Sequence, residues 1–388
     1  MIFKRETSPY IRKNVSVKRM MLDVIIALIP ILLFAMIQNG WKGIYVILTS
    51  VLTMLITEFI AVALIKWPEG MKRRELFSKE GFKKVLAGFN INNILCPLIS
   101  AFIFSLLLPA ATPVYVVIVG ALVGILFGKL VYGPYGANIF NPAAVGFVFV
   151  LLCFSSQLDA ARNVAAGVVR PDVVVDGVIA GGTPLGQIAG NLANFGEALK
   201  TYSLLDLFLG NVPGAMGEVC SVLIIVAFIY LAIRRSIDVR ATLGMFVGFS
   251  VVALSAGITL YCINGTNVGE FYLYQILAGG FLFGAVFMIT DPVTSPVTKF
   301  GRVFFGVFAG LMVGLIRFVG SYPEGTAFAI LLANLIASAL DYFMQCKKNT
   351  YSWIQLLVTF IVMVAVCLII CYVIAGRMPV SLPQEPVW

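Results

Sequence analysis

Gly120-Ala-Leu-Val-Gly124-Ile-Leu-Phe-Gly128 runs into a Gly/Pro/Tyr turn, Tyr132-Gly-Pro-Tyr-Gly136. A second copy of this pattern lies 186 residues later. There, Gly306-Val-Phe-Ala-Gly310-Leu-Met-Val-Gly314 runs into Gly320-Ser-Tyr-Pro-Glu-Gly325. Upstream, Leu86-Ala-Gly-Phe89 pairs with Leu277-Ala-Gly-Gly280-Phe281 at an offset of 191. Glycine at every fourth position of an apolar run lets two helix backbones approach closely, a common device inside membranes. That commonness makes chance the competing explanation. An ordered match of two features at nearly one offset instead reads as an internal repeat.

The composition around these stretches fixes the solvent. Of 388 residues, 60% are hydrophobic and only 12% charged, with a mean hydropathy of +1.00. A soluble domain carries about 25% charged residues, so this chain must use lipid as part of its solvent. Eleven apolar segments are long enough to cross a bilayer. They run 20–38, 44–65, 86–108, 114–131, 139–155, 218–233, 241–262, 271–290, 303–319, 325–345 and 353–375.

The repeat pairs span three with span eight and span four with span nine. A shift of five spans is odd, so the copies have opposite orientation, the inverted-repeat plan. The expected fold is an all-α polytopic membrane protein with about ten core helices in two inverted five-helix repeats, plus an extra C-terminal helix. The expected organisation is a cytoplasmic leader 1–19, a first repeat 20–155, a long loop 156–217, a second repeat 218–346 and an appended helix and tail 347–388. Asn90, Asn92, Asn93 and Cys96-Pro97 are expected to interrupt span three, and Thr290-Asp291-Pro292 to end span eight. Glu58, the clearest acid inside a span, either snorkels toward Lys66 or belongs to an ion path; snorkelling is the preferred reading.

Net charge is +9. With the N-terminus inside, 21 of the 27 Lys and Arg residues fall on the cytoplasmic side, Lys129 among them. Lys42, Arg162, Arg170, Lys200, Arg317 and Arg377 fall outside. The basic surplus is therefore an orientation signal and not a nucleic-acid footprint. The chain has no histidine, which excludes Ser-His-Asp triads and His-ligated haem or zinc. Its seven cysteines form no C-x-x-C pair and read as small apolar residues. No metal site and no catalytic residue is legible.

The 62-residue loop 156–217, placed outside, is long enough to suggest a function. Ser203 and Asp206 in it have capping-box spacing ahead of a short helix along the membrane surface. Earlier in the loop stands Asp176-Gly-Val-Ile-Ala-Gly181-Gly182-Thr183-Pro184-Leu185. Two glycines make a tight exposed turn, and Pro184 holds Thr183 extended with its hydroxyl outward. Such a hydroxyl suits modification by another enzyme; an ordinary turn has the same residues.

Five further motifs carry a family resemblance: Ser8-Pro9-Tyr-Ile with Met21-Leu22-Asp23, Asn138-Ile-Phe-Asn141-Pro142-Ala, Gly210-Asn-Val-Pro213-Gly214-Ala-Met-Gly217-Glu218, Thr290-Asp291-Pro292-Val-Thr-Ser-Pro296 and Tyr322-Pro323-Glu324-Gly325. In this order, over residues 8 to 345, the chain resembles the D subunit of the Rnf complex and the homologous B subunit of Na+-translocating NADH:quinone reductase. The resemblance implies FMN held as a phosphoester on Thr183, with Gly181, Gly182, Pro184 and Leu185 as its motif context. The family usually reads Ser/Thr-Gly-Ala-Thr or Thr-Thr-Ala-Thr there, against Ala180-Gly181-Gly182-Thr183 here.

It also implies a non-covalent riboflavin within the membrane part, a flavin transferase as modifying partner, and neighbouring membrane and peripheral subunits. The chain would then be an electron-carrying subunit in a bacterial or archaeal inner membrane, and not a complete enzyme alone. Its complex would pass electrons between ferredoxin and NAD+, coupled to Na+ or H+ transport. The short leader favours the Rnf type over the quinone reductase. A solute channel built from inverted five-span repeats is the reading from another class.

Overall fold

The computed structural model describes residues 16–65, 91–133, 136–169, 183–189, 192, 195–218, 220–320, 322, 324–343 and 353–377. Among them every regular element is a helix. In chain order these are α1 (Val17–Asn39), α2 (Trp41–Ile65), α3 (Asn92–Leu107), α4 (Val114–Gly128), α5 (Pro142–Cys153), α6 (Ser155–Val169), α7 (Pro184–Ile188), α8 (Phe195–Thr201) and α9 (Leu204–Leu209). Then come α10 (Ser221–Arg234), α11 (Val239–Asn264), α12 (Val268–Leu277), α13 (Phe281–Met288), α14 (Lys299–Phe318), α15 (Thr326–Phe343) and α16 (Trp353–Arg377).

Each of the eleven apolar segments contains helix among the described residues. Among the described residues, seven helices are long and apolar enough to cross a membrane, nine if each of two bent pairs counts as one span. The remaining two, α3 and α10, are shorter. The bent pairs are α5–α6, which turns by 97°, and α12–α13, which turns by 60°. On α2, Leu48, Leu52, Ile56, Ile60 and Leu64 all lie more than half exposed. Their spacing of four makes one apolar stripe along the helix. This is the surface of a multi-pass membrane protein, facing lipid on one side and the bundle on the other.

The packing partners repeat between the halves. α2 packs on α4 and α3, as α11 packs on α14 and α12; α4 packs on α5, as α14 packs on α15. Between the halves, α1 meets α10 and α5 meets α15. The glycine rows that announce the repeat, however, face different neighbours. A Cβ on Gly124 or Gly128 would strike the Pro142 backbone of α5. A Cβ on Gly310 would lie 2.2 Å from the Met245 carbonyl oxygen and 2.6 Å from the Phe249 nitrogen of α11. Backbone atoms cannot step aside, so Gly310→Val should separate α11 from α14. An overpacked core typically loses about 1–3 kcal/mol, and a lowered unfolding temperature in detergent checks this.

Several expectations change. α3 starts at Asn92 and continues through Pro97, although the proline cannot donate to the Asn93 carbonyl; Asn90 lies outside the described residues. Glu58 does not stand alone near Lys66, which lies outside the described residues. It is 2% exposed and binds the Lys129 ammonium at 2.6 Å, with Asn93 donating to the same oxygen at 3.2 Å. Lys129, in the turn that follows α4, is thus buried rather than exposed. Arg317 is likewise buried in α14, where it donates to Gln275 and lies 5.1 Å over the Phe249 ring. The cysteines vary: Cys220 is buried, whereas Cys153 and Cys262 are exposed. The appended α16 packs on α11 and α14, burying Val366, Ile370 and Ile374.

At the α10–α11 junction, Asp238 caps α11 by accepting from the Arg240 N–H and pairs with the Arg302 guanidinium. Burial works to raise its pKa. The Arg240 N–H and the Arg302 charge outweigh it, leaving the carboxyl below its usual 3.8. A depressed folded pKa stabilises the fold above the unfolded value and loses that contribution as pH falls through the folded one. Asp238→Asn should therefore lower thermal stability at pH 7, and the difference from wild type should vanish once acid has protonated Asp238. Melting curves across pH check this.

Candidate functional site

Two cavities lie at opposite ends of α1. Val17, Met20, Met21 and Val24 line the first. Fourteen residues further on, Gln38 donates to the Gly210 carbonyl at 2.8 Å, beside the second. Fourteen helical residues span about 20 Å.

The first cavity has a volume of about 90 Å³. Ile99, Ile103 and Phe287 give it apolar walls, and Cys96, Ser100, Asn138, Asn141, Thr290 and Asp291 give it polar edges. Local chemistry fixes these side chains. Asn141 caps α5, its Oδ1 accepting from the Ala143 and Ala144 N–H groups, while its Nδ2 donates to the Met288 carbonyl at 3.5 Å. That carbonyl belongs to Gly284–Met288, the π-helical half of α13. A π-helical turn frees backbone acceptors and often marks a functional segment. Here side chains cover them: Thr242 donates to the Ala285 carbonyl at 2.8 Å and Thr290 to that of Val286 at 2.6 Å. Asp291 accepts from the Val293 N–H at 3.1 Å, which curls the chain under the cavity.

Next to it, Asp23 gathers Arg234, Tyr230 and Ser236 across the α1–α10 seam. Asp23 is only 2% exposed, so it holds Ser236 and Ile237 in the cavity wall. Three of the motifs quoted for the resemblance, around Asp23, Asn138–Asn141 and Thr290–Asp291, thus converge on one cavity.

The second cavity is a crevice of about 10 Å³, lined by Thr183, Leu185, Leu207, Val212, Glu218, Leu277, Gly279 and Glu324 among others. The Gly210–Glu218 and Tyr322–Gly325 motifs meet Thr183 there. The backbone of Thr183 is extended, as Pro184 requires, at φ −139° and ψ 158°. Its side chain is not outward. It is 4% exposed and caps α7, with Oγ1 accepting from the Gly186 N–H at 3.1 Å. Burial follows from the neighbours: Leu185 lies against Gly279, in the break between α12 and α13. Gly181, Gly182 and Asp176 lie outside the described residues. Pro184 and Leu185 are buried beside Thr183.

Charges surround the crevice. Arg162 bridges Glu324 at 2.6 Å and Asp159 at 2.9 Å. Glu218 is 6% exposed and lies so close to Gly280 that a Cβ there would meet its carboxylate. The Arg317 Nε and Nη2 and the Gln275 Nε2 are buried without a hydrogen-bond partner. The capping box foreseen for α9 is present, Ser203 with Asp206, and Gly210 closes that helix at φ 94°.

The family model described as NQR2, RnfD, RnfE matches residues 4–351. The chain belongs to this family. The B subunit of the Na+-translocating NADH-quinone reductase of Chromohalobacter salexigens is 29% identical, over 87% of this chain and 84% of the relative. The D subunit of the proton-translocating ferredoxin:NAD+ oxidoreductase complex of Clostridium ljungdahlii is 27% identical, over 89% and 96%. The D subunit of the ion-translocating oxidoreductase complex of Haemophilus influenzae strain PittEE is 29% identical, over 90% and 98%. The matched range takes in nearly the whole bundle and the residues that line both cavities.

The motifs pointed at these sites, but the repeat did not. Gly279-Gly280 was legible only as part of a repeat match, yet it breaks the span beside Thr183. The Lys129–Glu58 pair left no sequence signal, since its members are 71 residues apart.

Proposed function

We propose that this chain is the flavin-carrying membrane subunit of an ion-translocating oxidoreductase complex of the ferredoxin:NAD+ type. The observation that carries the reading is the convergence of the five motifs, where described, on two cavities joined by α1. The D-subunit relatives, 27% and 29% identical, support this type, and the B-subunit relative at 29% makes the NADH:quinone reductase the alternative. A flavin would supply the electron chemistry that a chain without histidine lacks.

The first cavity is the candidate site for riboflavin. Its lining supports this reading, because apolar walls with a few convergent polar groups are what small-molecule sites use; at about 90 Å³ it would have to widen to admit the ring system. Asn138, Asn141 and Asp291 would hold the polar edge of the ring system, while Ile99, Ile103 and Phe287 exclude water. In the second, Thr183 would hold FMN through a phosphoester made by a flavin transferase. At about 10 Å³ the crevice holds little more than one water molecule, so the phosphate, its chain and the ring system would lie beyond it. Electrons would pass between the two ends of the bundle, and the other subunits of the complex would supply and withdraw them. Coupling to Na+ or H+ movement belongs to that assembly.

The test is selective loss. Asn141→Leu or Asp291→Leu should abolish the flavin released when the purified protein is denatured, and leave the flavin that stays attached to the chain. Retention of the released flavin in both variants would contradict the assignment of the first cavity.

A further inference from the structure

The Thr183 hydroxyl is closed off in this fold. It is 4% exposed, it accepts from the Gly186 N–H, and it faces a crevice of only about 10 Å³. No enzyme active site can enter such a space. Two contacts hold the segment down. Leu185, 2% exposed, lies where a Cβ on Gly279 would come within 2.5 Å of its Cδ1. Gly279 has φ +70°, a conformation that glycine adopts freely, so the break in the span offers a side-chain-free notch to Leu185. Tyr274, fully buried in α12, donates its hydroxyl proton to the Pro184 carbonyl at 3.1 Å.

We propose that residues 183–189 form a latch over the α12–α13 break, and that it must lift for flavin to be attached to Thr183. This rests on the reading of Thr183 as the FMN site. Leu185 and Tyr274 act as positioning residues that set how often the hydroxyl is presented. In the lifted state Thr183 Oγ1 attacks the FMN phosphorus of a flavin dinucleotide held by the transferase. The Oγ1–P bond forms, the bond from that phosphorus to the oxygen of AMP breaks, AMP leaves, and the hydroxyl proton goes to a base of the transferase. When opening is fast, modification of a transiently open segment tracks the open population. Weakening either contact then speeds transfer without touching the acceptor.

The experiment uses the full chain, expressed without a transferase and purified in detergent. Flavin transferase and flavin adenine dinucleotide are added, and in-gel flavin fluorescence is followed with time. Leu185→Ala and Tyr274→Phe should each label at least about fivefold faster than wild type, the factor that a contact of ordinary strength yields. Tyr274→Phe removes a single oxygen atom and so keeps the packing. Lys129→Met, which destabilises the bundle far from the latch, should label at the wild-type rate. A wild-type rate in either latch variant, or an equal acceleration in Lys129→Met, overturns the latch and leaves the attachment site standing. No labelling of any chain, even after coexpression with the transferase, overturns the attachment reading and the latch with it.

Discussion

A Thr183→Val chain coexpressed with a flavin transferase should run on a denaturing gel without flavin fluorescence, where wild type fluoresces. The substitution is close to isosteric and removes only the acceptor oxygen and the cap it makes on α7. An N-cap is worth typically about 1 kcal/mol, and α7 is held besides by buried Pro184, Leu185 and Ile188. The fold should therefore survive while attachment is lost completely. Fluorescence persisting in Thr183→Val would move the acceptor to another residue. The same variant should keep any flavin in the first cavity, because α1 separates the two sites by about 20 Å.

The second large effect concerns stability. Lys129→Met should destabilise the protein by about 3–5 kcal/mol, the usual consequence of stranding one member of a buried ion pair. Lys129 and Glu58 are 3% and 2% exposed and 2.6 Å apart. The second Glu58 oxygen lacks a hydrogen-bond partner, so a lone carboxylate there keeps only the Asn93 amide as compensation. Adding Glu58→Gln should recover most of the loss, since the charge goes while an acceptor for Asn93 stays. Unfolding temperatures of the single and double variants in detergent measure the difference. Equal temperatures would mean that the pair contributes packing alone.

How far the sequence reaches depends on which force writes each feature. Lipid demands long apolar helices with satisfied backbones, so all eleven segments were legible from hydropathy. The repeat was legible because close helix packing needs small residues at fixed spacing. Its glycine rows nevertheless meet α5 in one half and α11 in the other, which spacing alone does not specify. Side-chain partners were harder. Glu58 pointed to Lys66 as the nearest cation along the chain, but in the bundle α2 lies against α4 and Lys129 is the neighbour. Arg317 looked like the end of a span, and the Gln275 amide and the Phe249 ring draw it inside. Thr183 was legible as a residue in an unusual context. Its burial was not, because that depends on a glycine notch almost a hundred residues further along.

The motifs fared better than the contacts. Asp23, Asn138, Asn141, Thr290 and Asp291 are scattered over some 270 residues, and the fold gathers them at one end of α1. Glu218 and Glu324 come together with Thr183 at the other. Residues that serve one cavity need not be near in sequence, so their grouping appears only once helices from both halves are packed.

A flavin inventory of the wild-type chain bears on both cavities at once. The chain is purified after coexpression with the transferase and precipitated with acid. Riboflavin is expected in the supernatant and FMN in the pellet, on the peptide that contains Thr183. A pellet and a supernatant both free of flavin would contradict the flavin-carrying role.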